Sequence, residues 1–128
     1  MSGHAFSRRH GPILVNAEIS GPFGVAVLEL VLDTGATRSL INLASLLSLG
    51  FDPDLASQRI TMTTGSAVEV APLLTVTRLS ALGQHRFGFD VIAHALPEIS
   101  AVDGLLGLDF LRDQVLTIDF RAGQIILT

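Results

Sequence analysis

The stretch VLELVLDTGATRSLIN, residues 27–42, decides how the rest of the chain is read. It opens as an apolar strand and then sets Asp33, Thr34 and Gly35 at the strand's end. A carboxylate closing so hydrophobic a run has two readings. It can cap a turn by accepting hydrogen bonds from nearby backbone N–H groups, because Asp, Thr and Gly are all turn residues. It can also be an acid placed for proton transfer, which requires a second group to give or take the other proton. An isolated Asp-Thr-Gly does not choose between them, since short motifs arise often by chance.

The flanking sequence is mostly strand. Upstream, ILVNAEI (13–19) is apolar and partly alternating, and SGPFG (20–24) supplies turn chemistry before VAVLELVL (25–32), so the two runs form a hairpin. The nearly continuous apolar character of 25–32 predicts burial on both faces. Downstream, NLASLLSLG (42–50) predicts a short helix with Asn42 as N-cap, Leu43, Leu46 and Leu47 on one face and Gly50 as the stop. After a loop at 51–57, QRITMTT (58–64) and AVEVAPLLTVTRL (67–79) alternate around TGS (64–66) as a long hairpin. Pro72 lacks a ladder donor, so the second strand bends or changes partner there. ALGQ (81–84) is a turn before the strand RFGFDVIAH (86–94), GLDFLRD (107–113) has one or two helical turns, and VLTIDF (115–120) with QIILT (124–128) makes a last hairpin. The sum is a small all-β domain with two short helices.

Composition narrows the function. A chain of 128 residues suits one domain, and 48% of it is apolar. That surplus points to a subunit interface, since monomers rarely expose large apolar patches. It does not point to a membrane span, because no run approaches the roughly 20 apolar residues a spanning helix needs. Net charge is −4 with no basic run, which argues against nucleic acid as partner. With no cysteine and four scattered histidines (His4, His10, His85, His94), no metal site or other cofactor is implied. Residues 1–12 read as a flexible tail or the stump of a longer parent. Arg8 and Arg9 resemble a twin-arginine fragment, but Gly11, Pro12, Asn16 and Glu18 interrupt any apolar segment after them. The compartment stays open between the cytoplasm and a fragment of an anchored or periplasmic protein.

Three elements in order resolve the reading of Asp33. They are Val31-Leu32-Asp33-Thr34-Gly35-Ala36, the hairpin tip Thr64-Gly65-Ser66, and Leu105-Leu106-Gly107 ahead of a short helix. Together, over residues 13–128, they resemble the retropepsin-like aspartic proteases, the single-domain relatives of pepsin. The resemblance implies a small closed, barrel-like acid protease fold that acts as a homodimer on a peptide or protein substrate. Asp33 is then the catalytic residue, Thr34, Gly35 and Ala36 support its loop, and Thr64, Gly65 and Ser66 form a flap over the substrate. Leu105, Leu106 and Gly107 are the family's second structural motif. Thr34 looks like the residue whose hydroxyl crosses to the partner subunit. QIILT resembles the C-terminal strand that some members interleave at the dimer interface, while others dimerise differently.

The chemistry explains why a dimer is needed. Hydrolysis without metal or covalent nucleophile requires one group to take a proton from water and another to protonate the carbonyl oxygen. Two adjacent carboxylates do both, because like charges so close cannot both ionise and the pair retains one proton; aspartic proteases are the established example. This chain has one Asp-Thr-Gly. Asp103, Asp109 and Asp119 lack its strand-end setting. In a C2 dimer a residue near the axis meets its own copy, so Asp33 pairs with a second Asp33. The reading is an aspartic endopeptidase. The rival reading is a catalytically inactive dimer of the same fold that binds peptides, since fold alone does not establish activity. His85 and His94 are expected to be surface or interface residues.

Overall fold

Alternating burial sets the strands. The structure, a computed structural model, describes residues 3–7, 11–96 and 101–128. The strands are β1 (His4–Ala5), β2 (Leu14–Gly21), β3 (Gly24–Leu32), β4 (Leu40–Asn42), β5 (Gln58–Thr64), β6 (Ala67–Ala81), β7 (Gln84–His94), β8 (Gly104–Leu106), β9 (Leu116–Asp119) and β10 (Gln124–Leu127). Two short helices are α1 (Leu43–Ser48) and α2 (Leu108–Leu111), and Pro53–Leu55 forms a single 3₁₀ turn in the expected 51–57 loop. In β2, Val15, Ala17 and Ile19 face the core while Asn16 and Glu18 face solvent. That two-residue period is what a barrel wall, wet on one side, requires.

Strands β2, β3, β8, β4, β7 and β6 are hydrogen-bonded in that order, and β6 returns to β2 from Ala17↔Ala81 to Ser20↔Arg78, closing a six-stranded barrel. Closure removes the exposed edges that an open sheet would leave. Strand β5 stands outside the ring, paired with β6. Strands β1, β10 and β9 form a separate antiparallel sheet. The main core joins Ile19, Leu30, Val76, Leu79, Leu106 and Phe110, all fully buried. A smaller cluster of Leu40, Ala71, Leu73 and Ile92, with Ile60, Met62 and Leu105 against it, lies under the β5–β6 hairpin.

Several expectations hold in detail. Asn42 caps α1 through its side-chain oxygen and the Ala44 N–H, and Gly50 ends that segment with φ +90°. Pro72 sits where β6 changes company: residues 67–73 pair with β5, and from Leu73 onward β6 also pairs with β7. A proline there costs no ladder bond on the β7 side, because that ladder starts one residue later.

Others are corrected. β3 is not buried on both faces: Val25 and Val27 are 56% and 67% exposed, because the strand is a barrel wall and it is Ala26, Leu28, Leu30 and Leu32 that turn inward. In α1, Leu46 is buried while Leu47 points out, 100° further round the helix. The expected tail is not wholly free. His4 and Ala5 pair with Ile125 and Gln124, the Phe6 N–H donates to the Gly123 carbonyl, and Phe6 packs edge-on against Phe120. The readings placed on Arg8, Arg9 and His10 fall outside the described residues. The C-terminal strand β10 is flanked on both edges within its own chain, with Ile125 and Leu127 buried in the main core. Within the subunit it is the second strand of the expected last hairpin, with β1 along its other edge at Gln124 and Ile125.

Candidate active site

The turn that carries Asp33 is built by an exchange of backbone bonds. The Asp33 N–H donates to the Leu106 carbonyl at 2.9 Å, and the Ala36 N–H donates back to the Asp33 carbonyl at 3.1 Å. The carboxylate itself takes part: Oδ1 accepts the Gly35 N–H at 2.9 Å. The side chain of Asp33 thus caps its own turn. One oxygen is fixed by the turn, and the second makes no hydrogen bond among the described residues. A Cβ at position 35 would lie 3.2 Å from Oδ1, so glycine leaves the carboxylate its room. Thr34 and Gly35 are exposed at the apex, while Asp33 and Ala36 are half-buried.

The second motif holds this turn in place. β8 inserts between β3 and β4, parallel to the first through Leu30↔Gly104, Val31↔Leu105 and Leu32↔Leu106, and antiparallel to the second. The loop 33–39 therefore straddles the end of β8. The approach is close enough to require glycine: a Cβ on Gly104 would sit 2.0 Å from the Leu40 carbonyl oxygen, and one on Gly107 2.7 Å from that of Ala36. Leu106 is fully buried, and Leu105 faces the smaller cluster. The roles of Leu105, Leu106 and Gly107 are thus packing and backbone docking around the turn.

Two further residues complete the support. Ser39 is fully buried, and its hydroxyl donates to Asp109 Oδ1 at 2.7 Å while accepting the Gly107 N–H at 3.0 Å. The Ser39 N–H reaches both Asp109 oxygens, at 3.0 and 2.9 Å, and the Leu108 N–H donates to the Ala36 carbonyl at 2.8 Å. Arg86 braces α2 from the barrel side, bonding to the Phe110 carbonyl and to Gln114 and stacking 4.6 Å over the Phe110 ring. Nothing in the sequence pattern marks Ser39. The Asp in GLDFL is its only signal, and their pairing spans 70 residues. Because hydrogen bonds to a charged group contribute more than neutral ones, Asp109→Ala is expected to destabilise the fold by roughly 2–4 kcal/mol, leaving the buried Ser39 unsatisfied. Urea denaturation measures this. A change below about 0.5 kcal/mol, the usual range for surface substitutions, would mean that Asp109 does not hold the turn.

The other acids are also committed. Asp103 Oδ2 accepts the Glu29 N–H, and Asp119 Oδ1 accepts the Arg121 and Ala122 N–H groups. With Asp109 on Ser39, each candidate for a second carboxylate within the chain already serves a backbone turn or crossing. Among the described residues, no three His, Asp or Glu side chains converge in a manner that would hold a metal ion.

Strands β5 and β6 form the expected long hairpin. Register runs from Gln58↔Leu73 to Thr64↔Ala67, and Gly65 takes φ +56° at the first position of a two-residue turn. Gly65, Ser66 and residues 67–70 are exposed, with Val68 and Val70 at 70% and 65%. His94 Nε2 meets Glu69 Oε2 at 2.5 Å, tying the tip half of this hairpin, at the Met62↔Glu69 pair, to the end of β7. His85 lies on the surface, bonded through Nδ1 to the Ser80 hydroxyl. Between the hairpin and the Asp33 loop is a cleft of about 490 Å³, walled by Ala36, Thr37 and Arg38 on one side and by residues 60–63 on the other, with Leu40, Ile92 and Leu105 at its base. A separate hollow of about 480 Å³, lined by His4, Phe6, Asn16 and Glu29 among others, shares no residue with the Asp33 turn.

A hairpin with so little packed against its tip opens more readily than the barrel. Amides of residues 62–68 are therefore expected to exchange faster than those of β2 and β3 in the ligand-free protein. Hydrogen–deuterium exchange read by mass spectrometry checks this. Protection equal to that of the barrel strands would remove any gating role.

These features meet their counterparts in known proteins. The aspartyl protease family profile matches residues 15–110, so the chain belongs to that family. Its fold is similar to that of a retropepsin-like aspartic protease from Rickettsia conorii, at TM-score 0.74 and 20% identity over 98% of this chain and 90% of that one. It is also similar to the retroviral protease-like domain of Ddi1 from Leishmania major, at TM-score 0.57 and 17% identity over 94% and 96% of the two chains. Among curated protein sequences, none matches. The fold is the retropepsin-like one. Among the described residues no helix is long and apolar enough to cross a membrane.

Proposed function

We propose that the protein is an aspartic endopeptidase that works as a C2 homodimer, with one Asp33 from each subunit. The observation that carries this reading is the setting of Asp33. Its turn is fixed from three sides, one carboxylate oxygen is held by the Gly35 N–H, and the turn's apex is exposed beside a cleft under a hairpin. The commitment of Asp103, Asp109 and Asp119 to backbone N–H groups supports drawing the second carboxylate from a partner.

In this reading the ionised carboxylate of the pair takes a proton from a water lying between the two. The water oxygen bonds to the scissile carbonyl carbon while the protonated carboxyl gives its proton to the carbonyl oxygen. The resulting gem-diol collapses: a hydroxyl proton returns to one carboxylate, the other gives a proton to nitrogen, and the C–N bond breaks to leave a carboxylic acid and an amine. The pair ends as it began, sharing one proton.

Substrate would bind as an extended strand. The edge of β5 away from β6 is unpaired among the described residues and forms one wall of the cleft, so its backbone can add a peptide strand. Thr34, exposed at the apex of the turn, would hydrogen-bond across the two-fold axis. Thr64, Gly65 and Ser66 would close over the substrate and limit water access. The test is incubation with a mixed peptide library at acidic and near-neutral pH, followed by mass spectrometry of the products. Reproducible internal cleavages support the reading, and an intact library at every pH opposes it.

A further inference from the structure

The cleft beside Asp33 is apolar at its base and, among the described residues, is lined by a single ionisable side chain. Leu40, Ile92 and Leu105 form the floor, Ile60 and Met62 the hairpin wall, and Arg38 the opposite rim. Arg38 is exposed and makes no ion pair or hydrogen bond among the described residues. Arg78 and Arg86, by contrast, are engaged, the first by Glu18 and the second by Phe110 and Gln114. No acid among the described residues pairs with it, Asp33 included, whose Oδ1 accepts the Gly35 N–H. Glu69, on the same face of the hairpin as Met62, is bound to His94, and Asp109 is bound to Ser39. A guanidinium left without a partner at the mouth of an apolar groove is a ready carboxylate site, with five donors in a fixed fork.

From this, and resting on the peptidase reading above, we infer that Arg38 is a specificity-determining residue. The substrate presents an internal Asp or Glu side chain to Arg38, next to an aliphatic residue seated on Leu40, Ile92 and Leu105. In a C2 dimer each half of the cleft carries its own Arg38. The acidic preference therefore recurs at positions equidistant from the scissile bond, on both sides of it. Two acids flanking an apolar core are a distinctive signature. A cleft selecting only by apolar area would show no charge preference at all.

The test uses peptides blocked at both termini, so that a chain-terminal carboxylate cannot stand in for a side chain. Substrates differing only as Glu against Gln at each position are compared by kcat/KM. In the wild type the Glu peptide is expected to be favoured roughly tenfold at one position on each side, an effect of the size of one partly exposed charge-assisted hydrogen bond. Arg38→Gln is expected to bring that ratio to about one, and Arg38→Glu to shift preference to Lys at the same positions. The ratio is read within each variant, so a general loss of activity does not hide it. A wild-type ratio near one, or a ratio unchanged in Arg38→Gln, overturns the inference and leaves the peptidase reading standing. Sedimentation of Arg38→Gln as a monomer overturns it too, by making Arg38 an interface residue. Should the wild type cleave nothing, the peptidase reading falls, and fluorescence anisotropy of the same peptides on the Asp33→Asn protein decides the charge preference alone. Tighter binding of Glu than Gln peptides supports it, and equal binding removes it.

Discussion

Asp33→Asn is expected to abolish peptide cleavage while leaving the protein folded. Asparagine is nearly isosteric, and its side-chain oxygen can still accept the Gly35 N–H that Asp33 Oδ1 accepts at 2.9 Å. The backbone bonds from Asp33 to Leu106 and from Ala36 to Asp33 do not involve the side chain at all. What is lost is the ionisable group: an amide neither takes a proton from water nor returns one. Disabling one member of a catalytic unit that acts together costs on the order of 10⁴-fold or more in kcat, and the same is expected here. The thermal midpoint should stay within about 3 °C of wild type, the range of an ordinary surface change. Cleavage by wild type and variant at equal rates would assign the activity to a contaminant or to another site. A variant that is inactive but also unfolded would leave Asp33 as a turn cap only, the other role its geometry supports.

How much of this was legible in the sequence follows from which contacts are local. The β2–β3 and β5–β6 hairpins were legible because alternation and turn residues sit within a dozen positions of one another, and Pro72 announced a change of partner through its missing N–H. The order of Asp33, the flap and Leu105-Leu106-Gly107 identified the family. The insertion of β8 between β3 and β4 was not legible. Gly104–Leu106 is three residues long, too short to register as a strand, and its partners lie more than sixty positions upstream. The Ser39–Asp109 bond hid for the same reason, because its partners lie 70 positions apart. Composition misled at β3, where a continuous apolar run suggested two buried faces and a barrel wall has one; at β10 the expected hairpin with β9 forms, and Ile125 and Leu127 fill the subunit's own core.

The burial of Ile125 and Leu127 within the subunit changes how dimerisation has to be tested. Removing Gln124 to Thr128 would strip β10 from between β1 and β9 and take Ile125 and Leu127 out of the core, so loss of activity would report unfolding rather than a lost interface. Subunit mixing avoids the problem, because Asp33→Asn subunits keep every surface of the wild type. If each subunit supplies half of the dyad, a heterodimer has one competent carboxylate and is inactive. With nine parts of Asp33→Asn to one of wild type, and free exchange, only about one tenth of the wild-type subunits find each other by mass action. Activity per wild-type subunit is therefore expected to fall about tenfold, whereas an independent monomeric site would keep all of it. Dilution gives the complementary result. Below the dimer dissociation constant, specific activity falls with concentration and is restored by reconcentration. Full activity from a species that sediments as a monomer would defeat the paired Asp33 mechanism. The second carboxylate would then have to come from Asp103, Asp109 or Asp119, each of which would first have to leave the backbone N–H groups it now serves. That requirement makes the mixing experiment decisive: a one-chain dyad would need the Asp33 loop, the β3–β8 crossing or the β9–β10 turn to come apart in order to work.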